Sequence, residues 1–588
     1  MGMHYNRFLL IVAGLGGLLY GIDVGIIAGA LPYLTATSGF SPGQLSFVVA
    51  AVLLGSVVST LFAGLLSDWI GRKWLMTATG LMFCISVPLI ALSHGFWALV
   101  GGRLLQGMSG GLIGVVIPLY LAECLSARDR GKGTGIFQWL LVFGFVVSGL
   151  ITLVFSHELA DVMKAGNAQA IFAFKDFAWR NTFWVSLPFG ILFTAGTLVL
   201  SESPRWLFRR GRKEAALAAL LRSRDDAQAQ LEMHEMEETA LSRATGTARV
   251  RESLLRRKYV IPFVIACVIL TCNQLTGINS IIPYNTTTLL QAGLNDYWAH
   301  VGSFLFSIVN FSLTFIGVIL VDRAGRKFLL SIGTAGIILS LACTGLLFHH
   351  TEAKHIDVGA ALQSIVKSDQ TFSLKFDPAT ADRLLRAVGS SSNGQPQSLV
   401  VNYAYGDFSF VTNAARSDDV SGPIAITRDV PHNRIEALLG SSNPLGDFRA
   451  AQSAPLHIVS AFVTPVPSTA NGWLVATTLY LFMGFYAVGP GVVVWLALSE
   501  LMPTRIRSNG MSIALVLNQA TSTTIAAIFL PTVARHGYAT MFFAFAAFTI
   551  VYFVTAAFFL PETKGKTLEE IEEHFERAGV APEFSGSR

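Results

Sequence analysis

Asp23 is a carboxylate placed where water is scarce. It sits in Gly21-Ile22-Asp23-Val24-Gly25-Ile26-Ile27, inside an apolar run from about Phe8 to Leu34. As a helix, at ~1.5 Å of rise per residue, that run is long enough to cross a bilayer. A charge near mid-membrane costs at least ~2.5–3.5 kcal/mol on insertion scales. Such a residue needs a partner, a wet cavity or a function. A second chemical pattern is made of charges at the ends of apolar runs. Asp68-x-x-Gly71-Arg72-Lys73 recurs as Asp322-x-x-Gly325-Arg326-Lys327. Glu123 precedes Arg130 by seven positions, and Glu500 precedes Arg507 likewise. Acids in register with bases suit an ion-pair lattice that ties helix ends together when that side is closed. The plainer alternative is loop charge that only orients helices.

These residues must be held by membrane helices. The chain has 588 residues, 52% hydrophobic and 13% charged, against ~25% charged in a soluble chain. Its mean hydropathy is +0.55. A net charge of +5 is modest for this length and implies no nucleic-acid partner. The five cysteines have no CxxC spacing, so neither a disulfide framework nor a metal site is expected, and no cofactor. No catalytic motif suggests an enzyme. Gly565-Lys566-Thr567 resembles the end of a phosphate-binding loop, but Leu560 occupies the place of its first Gly.

Twelve apolar segments are legible, at approximately 8–34, 45–66, 74–93, 96–122, 134–156, 181–200, 259–291, 298–320, 328–348, 473–498, 508–533 and 538–560. The first is too long for a signal-peptide core and is expected to be a retained span. Basic residues follow segments 2, 4, 6, 8 and 10: Arg72 and Lys73, Arg128 to Lys132, Arg205 to Lys213, Arg323 to Lys327, and Arg505 and Arg507. The loops around 35–44, 94–95 and 292–297 have neither Lys nor Arg. The positive-inside rule then puts both termini in the cytoplasm.

The expected fold is an all-α membrane protein of twelve transmembrane helices in two pseudo-symmetric six-helix bundles. Residues 1–202 form the first half. A cytoplasmic helical linker covers 203–258, helices 7–9 cover 259–348, and helices 10–12 cover 473–562. An extracytoplasmic insertion, 349–472, separates helices 9 and 10, and 563–588 is a cytoplasmic tail. The insertion mixes a helical pattern (378–388) with alternating strand-like stretches (398–411 and 423–428). His349, His350 and His355 beside Glu352 open it, and read more readily as solvated histidines than as metal ligands. In the tail, 567–575 reads as a short amphipathic helix. Leu200-Ser201-Glu202 after segment 6 echoes Leu560-Pro561-Glu562 after segment 12, a third matched pair between the halves. Such pairs argue for a parallel repeat of six helices.

The chain resembles the sugar porter family of the major facilitator superfamily. The stretches that carry the resemblance are Gly64 to Lys73, Gly102-Arg103, Pro118 to Glu123, Arg130-Gly131-Lys132, Glu202 to Leu207, Gln274 to Asn279, Gly489-Pro490, Trp495, Glu500 and Pro561 to Gly565. The resemblance covers both halves and leaves out the insertion and the tail ends. It implies a midplane substrate site from Gln138, Asn273, Gln274, Asn279, Asn310, Trp495 and Asn518. That set suits a sugar. Neutral amides donate and accept, as sugar hydroxyls do, and cost less in a membrane than charges. An indole offers a flat apolar face with one donor. Taken singly, each amide has a structural alternative as glue between helices.

Four positions depart from the family pattern: Asn273 replaces a glutamine, Pro283 the first aromatic after Gly-Ile-Asn, Ser201 a proline, and Phe145 a second segment-5 glutamine. They bear on which sugar is carried.

The resemblance also pairs Asp23 with Arg103, as in proton-coupled members. An arginine stays charged, so a proton is taken up or released by Asp23 as helix movement changes their separation. The alternative is a static buried ion pair. With Asp68, Arg72, Glu123, Arg130, Glu202, Asp322, Arg326, Glu500 and Arg507 as cytoplasmic gate ion pairs, the expected function is proton-coupled symport of a hexose or pentose by alternating access. The protein is expected in the plasma or inner membrane, acting as a monomer. A facilitative sugar or polyol uniporter and a non-transporting sugar sensor are the alternatives.

Overall fold

The computed structural model describes residues 2–125, 130–244, 256–418, 423–428, 430–439, 443–503, 506–564, 570 and 575. The first half is built from α1 (Gly2–Ser38), α2 (Pro42–Ile70), α3 (Arg72–Ala91), α4 (Phe96–Cys124), α5 (Arg130–Lys164), α6 (Ala168–Trp184) and α7 (Leu187–Val199). Short helices α8 (Pro204–Arg209), α9 (Lys213–Leu221) and α10 (Asp226–Ala244) follow. They dock on the same end as the basic loops, where Arg224 Nη1 donates to the Cys124 carbonyl at 2.7 Å and Asn6 Nδ2 to the Ser223 carbonyl at 3.1 Å. The second half comprises α11 (Arg257–Leu275), α12 (Ile278–Gln291), α13 (Asp296–Ala324) and α14 (Arg326–Glu352) before the insertion. After it come α19 (Thr469–Val488), α20 (Pro490–Leu501) and α21 (Arg507–Val554).

Among the described residues, eleven helices are long and apolar enough to cross a membrane. The last, Gly510–Phe559, has 50 residues. At ~1.5 Å per residue it is far longer than a ~30 Å hydrocarbon core. Gly537, at φ 84° and ψ 163°, breaks it into two spans. Only glycine adopts that conformation readily. The total is twelve, in two halves of six. Three other spans are interrupted. α6 gives way to α7 at Val185 and Ser186. α11 gives way to α12 at Thr276 and Gly277, and Gly277 is left-handed (φ 83°, ψ 9°). α19 ends at Gly489, because Pro490 disfavours helical geometry in the residue before it.

Two segment ends differ from the sequence reading. α5 runs on to Lys164, and the sixth span begins at Ala168, not near 181. Its first turns carry Lys175, Asp176 and Arg180, which lowered the hydropathy there. The structure satisfies the charge locally: Arg180 Nε meets Asp176 at 3.0 Å, and Nη1 donates to the carbonyls of Ala91 and Ser93 at 2.9 and 2.7 Å. Arg128, Arg505 and most of the tail helix at 567–575 lie outside the described residues.

The insertion is a separate α/β body with its own apolar core. It contains β1 (Ile356–Asp357), α15 (Gly359–Gln363), β2 (Phe372–Leu374), α16 (Pro378–Ala387), β3 (Gln397–Tyr405) and β4 (Phe408–Val411). β5 (Ala415–Arg416), β6 (Ile424–Ile426), α17 (Arg434–Leu439), α18 (Phe448–Ser453) and β7 (Leu456–Pro465) complete it. The main sheet has the order β1-β7-β3-β4, with β5 also on β3, and β2 pairs with β6. Alternation places Leu399, Val401 and Tyr405 of β3 inward with Ile458, Ala461 and Val463 of β7. Leu384 and Leu385 of α16 cover them. The body touches both halves. Asn413 Nδ2 donates to the Phe40 carbonyl at 2.9 Å, and Arg416 Nη1 to the Leu290 carbonyl at 3.3 Å. A cavity of about 370 Å³ lies between it and the helix ends.

Candidate transport site and gates

The second half holds a connected set of neutral polar groups where α11 breaks into α12: Gln274, Asn518 and Ser522 are buried and Asn279 is half-buried. Asn279 Nδ2 donates to Gln274 Oε1 at 2.9 Å and to Ser522 Oγ at 2.8 Å. Gln274 Nε2 donates to Asn518 Oδ1 at 3.2 Å, and Asn518 Nδ2 to the Leu270 carbonyl at 2.9 Å. The break at Gly277 is what lets Gln274 and Asn279, five residues apart, face one another. Asn273 lies beside this set, its Nδ2 3.4 Å from the Tyr486 hydroxyl. Its Oδ1 is buried and unbonded.

The other three proposed substrate residues stand apart from the set. Asn310 accepts from Thr314 at 3.3 Å and lines a small cavity with Ser148, Thr152, Ser303 and Ser307, among α1, α5, α12 and α13. Gln138 is exposed on α5. Trp495 is 43% exposed on α20. Ser522 and Tyr486 were not anticipated. Ser522 follows Asn518 by one helical turn, a spacing that could have disclosed it.

Asp23 and Arg103 meet in the first half. Arg103 Nη1 lies 3.8 Å from Asp23 Oδ1, and each side chain is 1% exposed. Arg103 bonds better to Gln106 Oε1, at 2.7 Å on its own helix. Its guanidinium also lies 5.6 Å from the Phe183 ring centroid. Neither Asp23 oxygen has a hydrogen-bond partner among the described residues. This is a charge contact at its outer limit, not a closed bidentate pair.

The basic end carries two copies of one device. In the first half, Arg72 contacts Asp68 at 2.9 Å and Glu123 at 2.9 Å. Ser203 Oγ donates to Glu123 Oε2 at 2.5 Å, and Arg209 adds contacts to Glu123 (3.4 Å) and Asp68 (3.5 Å). In the second, Arg326 contacts Glu500 at 3.0 Å, and Thr563 Oγ1 donates to Glu500 at 2.6 Å. The sequence reading made Glu202 an ion-pair member; among the described residues it caps a helix instead. Its Oε1 accepts the backbone N–H groups of Arg72 and Lys73 at 2.9 and 3.0 Å. Glu562 does the same for Arg326 and Lys327 at 3.0 and 3.1 Å. The reason is that Gly71 (φ 103°) and Gly325 (φ 89°) begin α3 and α14 abruptly, leaving free N–H groups at a positive dipole end. Burial raises the Glu562 carboxyl, but the N–H groups of Lys564, Arg326, Lys327 and Thr563 outweigh it and hold it below the ordinary range. The side chains of Arg130, Asp322 and Arg507 lie outside the described residues.

At the insertion end the halves are bonded to each other. Tyr33 and Ser156 of the first half donate to Asp296 of the second at 2.9 and 2.6 Å. Tyr284 lies 3.1 Å from the Ser46 hydroxyl, and Ser46 Oγ accepts from Leu530 N–H at 3.1 Å.

Two repeated six-helix halves, with a buried ion pair in one and a buried amide set in the other, define a membrane transporter rather than an enzyme. The Sugar (and other) transporter family profile matches residues 9–366 and 450–575, leaving out most of the insertion. The chain belongs to the sugar porter family of the major facilitator superfamily. It is 27% identical over 576 residues to solute carrier family 2, facilitated glucose transporter member 12, of Danio rerio (95% of this chain, 86% of that one). It is 25% identical over 588 residues to the glucose transporter GlcP of Staphylococcus epidermidis (99% and 100%). It is also 25% identical over 585 residues to the major myo-inositol transporter IolT of Bacillus subtilis (97% and 95%). The inward open structure of the xylose transporter XylE from E. coli shares the fold, with a TM-score of 0.63 at 20% identity, covering 96% of this chain and 98% of that one.

Proposed function

We propose that this protein is a proton-coupled symporter of a monosaccharide, working by alternating access. Sugar is held by Gln274, Asn279 and Asn518, with Gln138, Asn273, Asn310 and Trp495 closing around it as the halves rock. A pyranose offers hydroxyls that donate and accept, and the amide set can exchange its internal hydrogen bonds for bonds to them with little loss. The glucose, inositol and xylose names among the relatives agree with a neutral polyhydroxylated substrate. The basic end faces the cytoplasm and the insertion faces outward, in the plasma or inner membrane, following the loop charges. In this assignment the halves are closed together at the outer end, as an inward-facing state requires, and the protein acts as a monomer.

The observation that carries the coupling is the Asp23–Arg103 contact: two buried charges at 3.8 Å, with no hydrogen bond to the carboxylate oxygens among the described residues. A carboxylate so placed is easily neutralised by a proton when the guanidinium moves off. Protonation therefore reports on helix position, which is what coupling needs. A facilitative uniporter, in which the pair only pins α1 to α4, is the second reading; the facilitated transporter among the relatives favours it. Uptake into proteoliposomes with and without an imposed pH gradient separates the two. Accumulation above the external level only with the interior alkaline is the outcome expected of symport. Equal equilibration under both conditions would establish the uniporter.

A further inference from the structure

At the insertion end a histidine is enclosed by groups that ask for two protons. His300 lies one turn into α13, its side chain 0% exposed. Its Nδ1 is 2.8 Å from the carbonyl oxygen of Asp296. Its Nε2 is 3.2 Å from the carbonyl oxygen of Gly29, on α1 of the other half. Carbonyl oxygens only accept. A neutral imidazole has one N–H and one lone pair. In that form one of the two contacts is a lone pair against a carbonyl oxygen, buried from water. Only the doubly protonated ring satisfies both. The charge has a counterpart: Asp296 Oδ2 is 3.6 Å from Nδ1. That carboxylate is itself held by Tyr33 and Ser156. The Tyr33 ring stacks on His300 with centroids 5.3 Å apart.

The other groups near this cluster are known. Next to Ser156 on α5, His157 has its ring 6.0 Å from that of Tyr297. From α19, the Tyr480 hydroxyl donates to the Gly302 carbonyl at 2.9 Å. From the insertion, Arg416 reaches the Leu294 carbonyl at 3.5 Å and is paired with Asp418 at 2.8 Å. None of the contacts described for these groups is made to a His300 ring nitrogen.

We propose that His300 is a proton-binding site of the transport cycle, separate from Asp23, whose proton locks the insertion-side gate through the His300–Gly29 bond. This rests on the alternating-access reading. The shorter contact and the nearby Asp296 carboxylate keep the last proton on Nδ1, so deprotonation leaves Nε2 with a lone pair facing the Gly29 carbonyl across the seam between the halves and favours opening. The proton enters and leaves on the insertion side, so it gates the carrier without being carried. Acid on that side favours the closed outer gate.

The test is a distance measurement by electron spin resonance across the insertion end. Spin labels are placed at Gln169→Cys, in the first turn of α6, and Lys354→Cys, after α14, both exposed. The background has the five native cysteines replaced by serine. Between pH 5 and pH 8, the interval over which imidazoles change charge, the ratio of open to closed distances is expected to rise about tenfold, the scale of one hydrogen bond to a charged group. In H300Q, which cannot gain the proton, the ratio should be flat with pH. In D296N, which loses the countercharge, the midpoint should move to lower pH; this variant decides the matter if H300Q does not fold. A wild-type ratio independent of pH, a dependence kept in H300Q, or an unmoved midpoint in D296N overturns the proposal. Counterflow of labelled glucose, xylose and inositol on the same proteoliposomes tests the transport reading by itself. Its absence for all three would defeat that reading and leave the gate measurement standing.

Discussion

Asp23 and Arg103 stand 3.8 Å apart with both side chains 1% exposed, and the arginine makes its shorter bond, 2.7 Å, to Gln106. The carboxylate is thus held in place without being fully satisfied. Buried pairs of closed geometry are expensive to separate, because each charge is left unpaired. A pair at the limit of contact can part within a transport cycle.

Asp23→Asn keeps the volume and removes the titration. It is expected to abolish accumulation of sugar against a gradient while leaving counterflow within about threefold of wild type, since a neutral amide mimics the protonated state. Accumulation unchanged in the variant would sink the coupling assignment. Gln106→Leu should leave Arg103 to bind Asp23 more closely and shift the pH profile of uptake toward acid, because a nearer guanidinium favours the carboxylate.

Asn279 is the node of the amide set, serving both Gln274 and Ser522. Asn279→Ala should weaken sugar binding by about 5–30-fold, the equivalent of ~1–2 kcal/mol. Equilibrium binding of labelled sugar to detergent-solubilised protein measures it. Ser522→Ala loses one acceptor and should cost less, about threefold. A larger loss for Ser522→Ala than for Asn279→Ala would show that the amide set is structural glue and not the sugar site.

Glu202 and Glu562 cap the two helices that follow the sharp glycine turns. Glu202→Gln and Glu562→Gln should each lower the melting temperature by a few degrees, in keeping with ~0.5–2 kcal/mol for a carboxylate at a helix N-terminus. The pH dependence has a definite sign. The Glu562 carboxyl lies below its ordinary value in the fold, so its contribution is present above ~pH 4.3 and is lost as pH falls through the folded value. Wild type should therefore lose more stability than Glu562→Gln between about pH 5 and pH 3, as read by thermal unfolding in detergent.

The insertion leaves and re-enters the membrane body at neighbouring points, since β1 and β7 pair with Ile356 opposite Val463. Such partners lie about 5 Å apart, which a short Gly-Ser link can bridge. Replacing 356–463 with that link should leave a folded protein that keeps counterflow, because the excised body has its own core and leaves Glu352 bonded to the N–H of Tyr538 at 2.6 Å. It also removes the Asn413–Phe40 bond between the insertion and the first half. Loss of folding on excision would mean that this body is part of the membrane scaffold.

Much of this protein is legible without coordinates. Apolar runs of about 20 residues leave a helix few alternatives in a bilayer, because backbone groups must bond within the segment. The repeated Asp-x-x-Gly-Arg-Lys loops disclose the two halves, and a lone carboxylate within an apolar run marks Asp23 as a residue that needs a counterpart, which Arg103 supplies at 3.8 Å. The matched positions of Glu202 and Glu562 after the sixth and twelfth segments do not disclose what these side chains bond to, since a carboxylate serves a guanidinium or a helix N-terminus equally well. The start of the sixth span was hidden because Lys175, Asp176 and Arg180 find partners in three dimensions that hydropathy cannot count. The meeting of Gln274, Asn279, Asn518 and Ser522 spans more than 240 positions of chain, and the enclosure of His300 by Gly29 joins the two halves across 271. Residue types and local spacing determine which segments enter the membrane and where they turn. Which side chains face each other across helices is decided only when the helices pack, because a helix has many faces and its sequence alone does not say which neighbour each one meets.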